Sequence, residues 1–163
     1  MKIAILSDIH DQIPRLRAAL KKLSGVEALL CCGDLCSPFI MKELGQGFTG
    51  PLHIVFGNND GDLYRLTETS KAFPQIRLHG EFVELTLGGK RIAINHFDHL
   101  GRALAAGSHY DVVCFGHNHQ FEVTRVANTL LINPGEIFGG LTGHSTFVLY
   151  DTATDRADRV DIE

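Results

Sequence analysis

Asp111-Val112-Val113-Cys114-Phe115-Gly116-His117-Asn118-His119 is the stretch whose reading decides the fold. Its first five residues are a short run, β-branched and aromatic, closed by a glycine, which predicts a buried strand. Side chains alternate along an extended backbone, so His117 and His119, two apart at the strand end, are expected to point the same way. Two imidazoles on one side of a strand end form a natural clamp for a metal. Alone, the motif reads equally well as a polar surface turn with two histidines. The other strand ends decide between these readings.

Towards the N-terminus, Lys2–Leu6 predicts a central strand ending in Ser7-Asp8-Ile9-His10-Asp11, where Asp8 and His10 are again two apart. Ile13, Leu16, Leu20 and Leu23 share a 3.6-residue face and predict a helix, with Asp11 as its N-cap, Pro14 in its first turn and Gly25 as its stop. Val26–Cys32 is a second apolar run, ending in Gly33-Asp34. Ser37-Pro38 opens a second helix, to about Leu44 by pattern, before a loop marked by Gly45, Gly47 and Gly50-Pro51. His53–Phe56 predicts a third strand, ending in Gly57-Asn58-Asn59-Asp60-Gly61, and a helix follows over 62–71. This alternation predicts parallel strands with right-handed crossovers, whose carboxyl ends are where sites are built.

Beyond Pro74 the pattern changes. Phe82–Leu87 and Arg91–Asn95 predict a hairpin across Gly88-Gly89, ending in His96. A helix from about His99 to Ala106 leads into the Asp111–Phe115 strand. Phe121–Val126 and Leu130–Ile132 form another hairpin, broken by Asn133-Pro134-Gly135. Thr146–Tyr150 and Ala157–Ile162 form a last antiparallel pair. No linker, repeat or low-complexity segment interrupts residues 1–163, which are expected to form one domain of two packed sheets flanked by helices.

The 163 residues are 44% hydrophobic and 21% charged, enough for one sizeable core and unlike a disordered chain. A formal net charge of -4 argues against a general binder of nucleic acid or anionic membrane, but leaves room for a phosphate-bearing small substrate if a metal supplies the positive charge. The apolar start is too short for a signal peptide and no run approaches membrane-spanning length, so a cytoplasmic protein is expected. Cys31, Cys32, Cys36 and Cys114 form no C-x-x-C pair and read as packed thiols.

Collected at the strand ends are Asp8, His10, Asp34, Asn58, His96, His117 and His119. Oxygen and imidazole donors without sulfur suit Mn²⁺, Fe, Zn²⁺, Ni²⁺ or Co²⁺ rather than Ca²⁺ or an iron–sulfur cluster. Seven donors exceed one tetrahedral ion and suit two ions sharing a carboxylate. Such a pair, about 3.5–4 Å apart, holds a hydroxide and clamps an in-line displacement at phosphorus.

Asp8-Ile9-His10, Gly33-Asp34, Gly57-Asn58-Asn59-Asp60, His96 and Gly116-His117-Asn118-His119 resemble, in order and spacing, the motifs of the calcineurin-like metallophosphoesterase superfamily over about residues 1–135. Asn133-Pro134-Gly135 resembles a loop of that family, and the short chain resembles its small YfcE-like phosphodiesterases. The resemblance implies an α/β fold, a four-layer α-β-β-α sandwich of two mixed sheets flanked by helices. It implies that Asp8, His10 and His119 hold one metal, that Asn58, His96 and His117 hold the other, and that Asp34 bridges them. Asp34, Asn59 and His96 are the catalytic candidates. The implied activity is hydrolysis of a small phosphoester, above all a diester, by hydroxide bridging two divalent ions. Manganese is the first choice of ion, with nickel, iron, zinc, cobalt or magnesium as alternatives. The alternative is a scaffold of the same fold that binds a protein partner, as the retromer subunit does; the complete ligand set favours the enzyme.

Two positions depart from the family's pattern. Asn59 stands where many members carry a histidine that protonates the leaving group, so turnover is expected to favour good leaving groups. Asn95-His96-Phe97-Asp98-His99 replaces the family's commoner His-Gly-His, placing the bulk of Phe97 near the second metal and leaving His99 one residue out of register. Asp60 is expected to hold its loop rather than a metal. His53, His79, His109 and His144 are expected at the surface or core edge, Cys36 and Phe97 as packing, and Glu136 as a solvated loop residue. Nothing in the sequence fixes the oligomeric state.

Overall fold

The computed structural model describes residues 1–163. Strand β1 (Lys2–Leu6) and helix α1 (Ile13–Leu20) are followed by β2 (Ala28–Cys31), α2 (Pro38–Gly47), β3 (Leu52–Ile54), α3 (Leu63–Ser70) and β4 (Ile76–Leu78). Then come β5 (Phe82–Leu87), β6 (Lys90–Asn95), α4 (Asp98–Ala106), β7 (Val112–Cys114), β8 (Phe121–Val126), β9 (Thr129–Pro134), β10 (Ser145–Asp151) and β11 (Arg156–Ile162). One sheet has the order β11-β10-β1-β2-β3-β4 and the other β5-β6-β7-β9-β8. In the first, β1 to β4 run parallel and β10 and β11 are antiparallel. In the second, β6, β7 and β9 are parallel, with β5 and β8 as antiparallel edges.

Burial follows the side-chain period. Along β1 and β2, Ala4, Leu6, Leu29 and Cys31 pack against Leu16, Ile40, Leu44 and Leu66 of α1 to α3. The alternate residues Ile3, Ile5, Ala28 and Leu30 face Ile92, Ile94, Val112, Cys114 and Ile132 of the second sheet. The far side of that sheet, with Ala93, Val113 and Leu131, is covered by Ala105 of α4. The layers are therefore helices, sheet, sheet and helix, the α-β-β-α sandwich. No helix is long and apolar enough to cross a membrane.

Three local expectations are corrected. Helix α1 starts after Gln12, which makes no side-chain cap, and ends at Leu20, short of Leu23 and Gly25; the Asp11 carboxylate accepts from Ser37 Oγ rather than capping it. Helix α2 runs past Leu44 to Gly47. Gly45 is kept within it because the Phe73 ring lies where a Cβ would stand. Strand β4 was not expected; three residues around the exposed Arg77 carry no periodic signal, and pairing with β3 alone defines it.

The carboxyl ends of the parallel strands meet at one edge of the sandwich, stitched by backbone bonds. Asp8 and Ile9 amides reach the Gly33 and Asp34 carbonyls, Gly61 reaches Cys36, and Gly116 reaches His96.

Candidate metal centre

All seven expected donors meet at this edge, in two groups. In the first, His119 Nε2 lies 3.4 Å and His10 Nε2 3.8 Å from Asp8 Oδ1, and the His10 and His119 rings stack with centroids 5.0 Å apart. In the second, Asn58 Oδ1 lies 3.0 Å from His96 Nε2 and 2.8 Å from His117 Nδ1. Asp34 stands between them, its Oδ2 3.4 Å from His10 Nε2 and 3.5 Å from His96 Nε2. His99 is exposed and turns towards Asp98, outside both groups.

The backbone that achieves this is not the extended one expected from the two-residue spacing. Asp8, His10, His117 and His119 have φ of 53°, 44°, 71° and 62°, and Asp34 has 56°. These left-handed residues turn the chain sharply once each strand has ended. His117 and His119 consequently do not point the same way: one ring goes to Asn58 and the other to Asp8.

Each ring is aimed by what its other nitrogen touches. Nδ1 of His96 donates to the Cys32 carbonyl at 2.7 Å, Nδ1 of His119 to Glu136 Oε2 at 2.6 Å, and Nδ1 of His10 lies 3.4 Å from Cys36 Sγ. These three rings therefore turn Nε2 inward, the arrangement that second partners impose on metal-binding imidazoles. Asp60 fixes the loops instead: its carboxylate accepts from the backbone amides of Asp34, Leu35, Cys36 and Gly57. Phe97 packs edge-on to His96 and His117.

The donors fit divalent cations. Asp8 Oδ1 and His10 Nε2 are buried and have no hydrogen-bond partner, a costly state that a cation among them would relieve. The ligand atoms of Asp8, His10 and His119, and of Asp8, Asp34 and His96, each fall within 4.8 Å of one another. Burial pushes the Asp34 carboxyl up, but the nearby His96 imidazole and the two amides of Asn59 outweigh it and hold the carboxyl well below its ordinary range. The neighbouring Asp8 and Asp34 carboxylates raise His10 against its burial. Burial pulls His96 down, and the neighbouring carboxylates of Asp34 and Asp8 raise it above the ordinary value. Desolvation pushes the Cys36 thiol up to about 12, which keeps it protonated at neutral pH.

Two supports were not foreseen. Glu136, expected in solvent, is fully buried against His119. Asn133 donates to the Gly116 carbonyl and to Asn118 Oδ1, bracing the turn that carries the two histidines. The one sequence signal for both was Asn133-Pro134-Gly135, whose Gly135, at φ 77°, turns the chain back towards the site.

The family model of the calcineurin-like phosphoesterase superfamily domain matches residues 1–155. A phosphodiesterase of Methanocaldococcus jannaschii is 36% identical over 157 residues, which span 93% of each chain. A solved archaeal phosphodiesterase superposes with a TM-score of 0.92 at 31% identity, covering 99% of this chain and 100% of that one. Vps29 of Entamoeba histolytica, solved with Zn²⁺, gives a TM-score of 0.66 at 18% identity over the whole of both chains, a likeness of fold alone.

Proposed function

This chain belongs to the calcineurin-like phosphoesterase superfamily, and from that premise we propose that it hydrolyses a small phosphodiester at a centre of two divalent ions. The observation that carries this reading is the place of Asp34, whose Oδ2 faces His10 on one side and His96 on the other. In this reading residues 1–163 act as one domain, Asp8, His10 and His119 hold one ion, Asn58, His96 and His117 the other, and Asp34 is shared. Two divalent ions there, manganese first among them, would neutralise the phosphoester and lower the pKa of water so that hydroxide is available for in-line attack at neutral pH.

The chain's own residues set the rest. Cys32, Cys36 and Glu136 hold three imidazoles with Nε2 facing inward. No lysine or arginine bonds to any of the donors, and bound cations would supply positive charge for the phosphate there. Asn59 has no proton of useful acidity for the leaving group. The centre therefore favours esters whose leaving group departs as a stable anion.

The test is hydrolysis of bis-p-nitrophenyl phosphate by chelator-stripped protein, with Mn²⁺ and then other divalent ions restored. Turnover that requires added ion, and exceeds turnover of the monoester, is expected. Absence of both turnover and metal binding would overturn this reading and favour the scaffold.

A further inference from the structure

Four donors converge on one carboxylate that the proposed reaction does not use. Glu136 is fully buried, directly after the Gly135 turn. Its Oε2 accepts from His119 Nδ1 at 2.6 Å. Its Oε1 accepts from the Leu141 amide at 3.1 Å and from the Thr142 amide and hydroxyl, both at 2.8 Å. The last three belong to the loop between Ile137 and His144, which rims the site. Phe138 in that loop lies 5.4 Å from the His10 ring, and the loop's backbone is tied to Ser7 and Asp8 by the Ile137 and Phe138 amides.

We propose that Glu136 is a positioning residue: it keeps the proton of His119 on Nδ1 and the Nε2 lone pair towards Asp8, while its second oxygen holds the rim loop in place. The inference rests on the reading of His119 as a metal ligand. An imidazole with its proton on Nε2 has no lone pair to offer there. A carboxylate accepts on both oxygens, so it serves the ring and the loop at once. A carboxamide has one accepting oxygen and one donating nitrogen. In Glu136→Gln, either the amide faces His119 and forces the proton onto Nε2, or it faces the loop and gives up the bonds from Leu141 and Thr142.

The test compares wild type, Glu136→Gln, Glu136→Asp and Thr142→Val. ¹⁵N shifts of the His119 ring are read in metal-free protein at about pH 9, where imidazoles are neutral. Mn²⁺ alone is then titrated by calorimetry, and amide exchange is followed over residues 139–143. Wild-type His119 is expected to carry its proton on Nδ1. Glu136→Gln is expected to move that proton or free the loop amides, and to weaken one of the two Mn²⁺ sites by about 10- to 100-fold. Glu136→Asp, which keeps both acceptors, is expected to recover part of the affinity. Thr142→Val, which removes only a loop hydroxyl, is expected to loosen the loop and leave the His119 proton in place. Wild-type proton position, loop exchange and Mn²⁺ affinity in Glu136→Gln would overturn the proposal. If wild type itself binds no Mn²⁺, the two-ion reading fails, and the ring shifts still decide whether Glu136 sets the His119 proton.

Discussion

Asn59 donates its side-chain amide to Asp34 Oδ2 at 2.8 Å, and its backbone amide to Asp34 Oδ1 at 2.8 Å. Asn59 thus helps to hold the carboxylate that lies between His10 and His96, and its bonds contribute to keeping that carboxyl ionised. Substituting Asn59→His should exchange this hold for an acid. The expected outcome is a rise of about 10-fold or more in kcat/KM on alkyl diesters relative to p-nitrophenyl diesters, since general acids help poor leaving groups most. A ratio that stays level or falls would show that position 59 has no path to the leaving group.

Gly116 closes the strand before the two histidines, and a Cβ there would fall upon Ser7 Oγ and Asp8 Oδ2. Both are buried and cannot retreat into solvent. Gly116→Ala is expected to cost about 1–3 kcal/mol of stability by overpacking and to displace Asp8 from the donor group. Thermal unfolding and a Mn²⁺ titration check the two effects separately.

Asn95, at the end of β6, is 1% exposed, and neither atom of its amide has a hydrogen-bond partner. It lies at the floor of an open groove of about 490 Å³ beside α4, among Phe82, Phe97, Leu100, Leu104 and Tyr110. Asn95→Leu keeps the volume and removes the unpaired groups. The variant should gain about 1–2 kcal/mol, a rise in Tm of about 2–4 °C for each kcal/mol. A lower Tm would mean that the amide is satisfied in solution.

The raised pKa values of His10 and His96 make stability depend on pH in the metal-free protein. Their protonated forms are favoured by folding, so this stabilisation is complete below the ordinary value of 6.5 and is lost as pH rises through the raised folded values. Asp34 acts in the opposite sense: its lowered value stabilises the fold above the ordinary 3.8, and that contribution is lost on acidification. Stripped protein is therefore expected to melt at a lower temperature at about pH 8.5 than at about pH 6. Added Mn²⁺ should reverse the order, because cations compete with protons for the same imidazoles. Melting curves at both values, with and without ion, test this.

The hairpins β5–β6 and β8–β9 were legible because their arms flank a turn holding Gly88-Gly89 or Asn128, and β10–β11 from its run of apolar and β-branched residues. The donors were legible because each lies within a few residues of a buried strand's end. Their directions were not. The two-residue spacing of His117 and His119 gives a common direction only on an extended backbone, whereas the left-handed turn at both residues sends the rings to different partners. Glu136 was illegible for another reason: a glutamate between a glycine turn and a polar loop resembles a solvated residue. Its burial arises only when the 137–144 loop folds back and His119, 17 residues earlier, supplies a donor.

The most direct measurement is the number of Mn²⁺ ions bound per chain, with turnover of bis-p-nitrophenyl phosphate, in wild type and Asp34→Asn. If Asp34 is shared by two ions, wild type binds two, and Asp34→Asn weakens both and loses turnover by about 100-fold or more. A variant that keeps wild-type turnover, or a wild type active with one ion, would contradict the account.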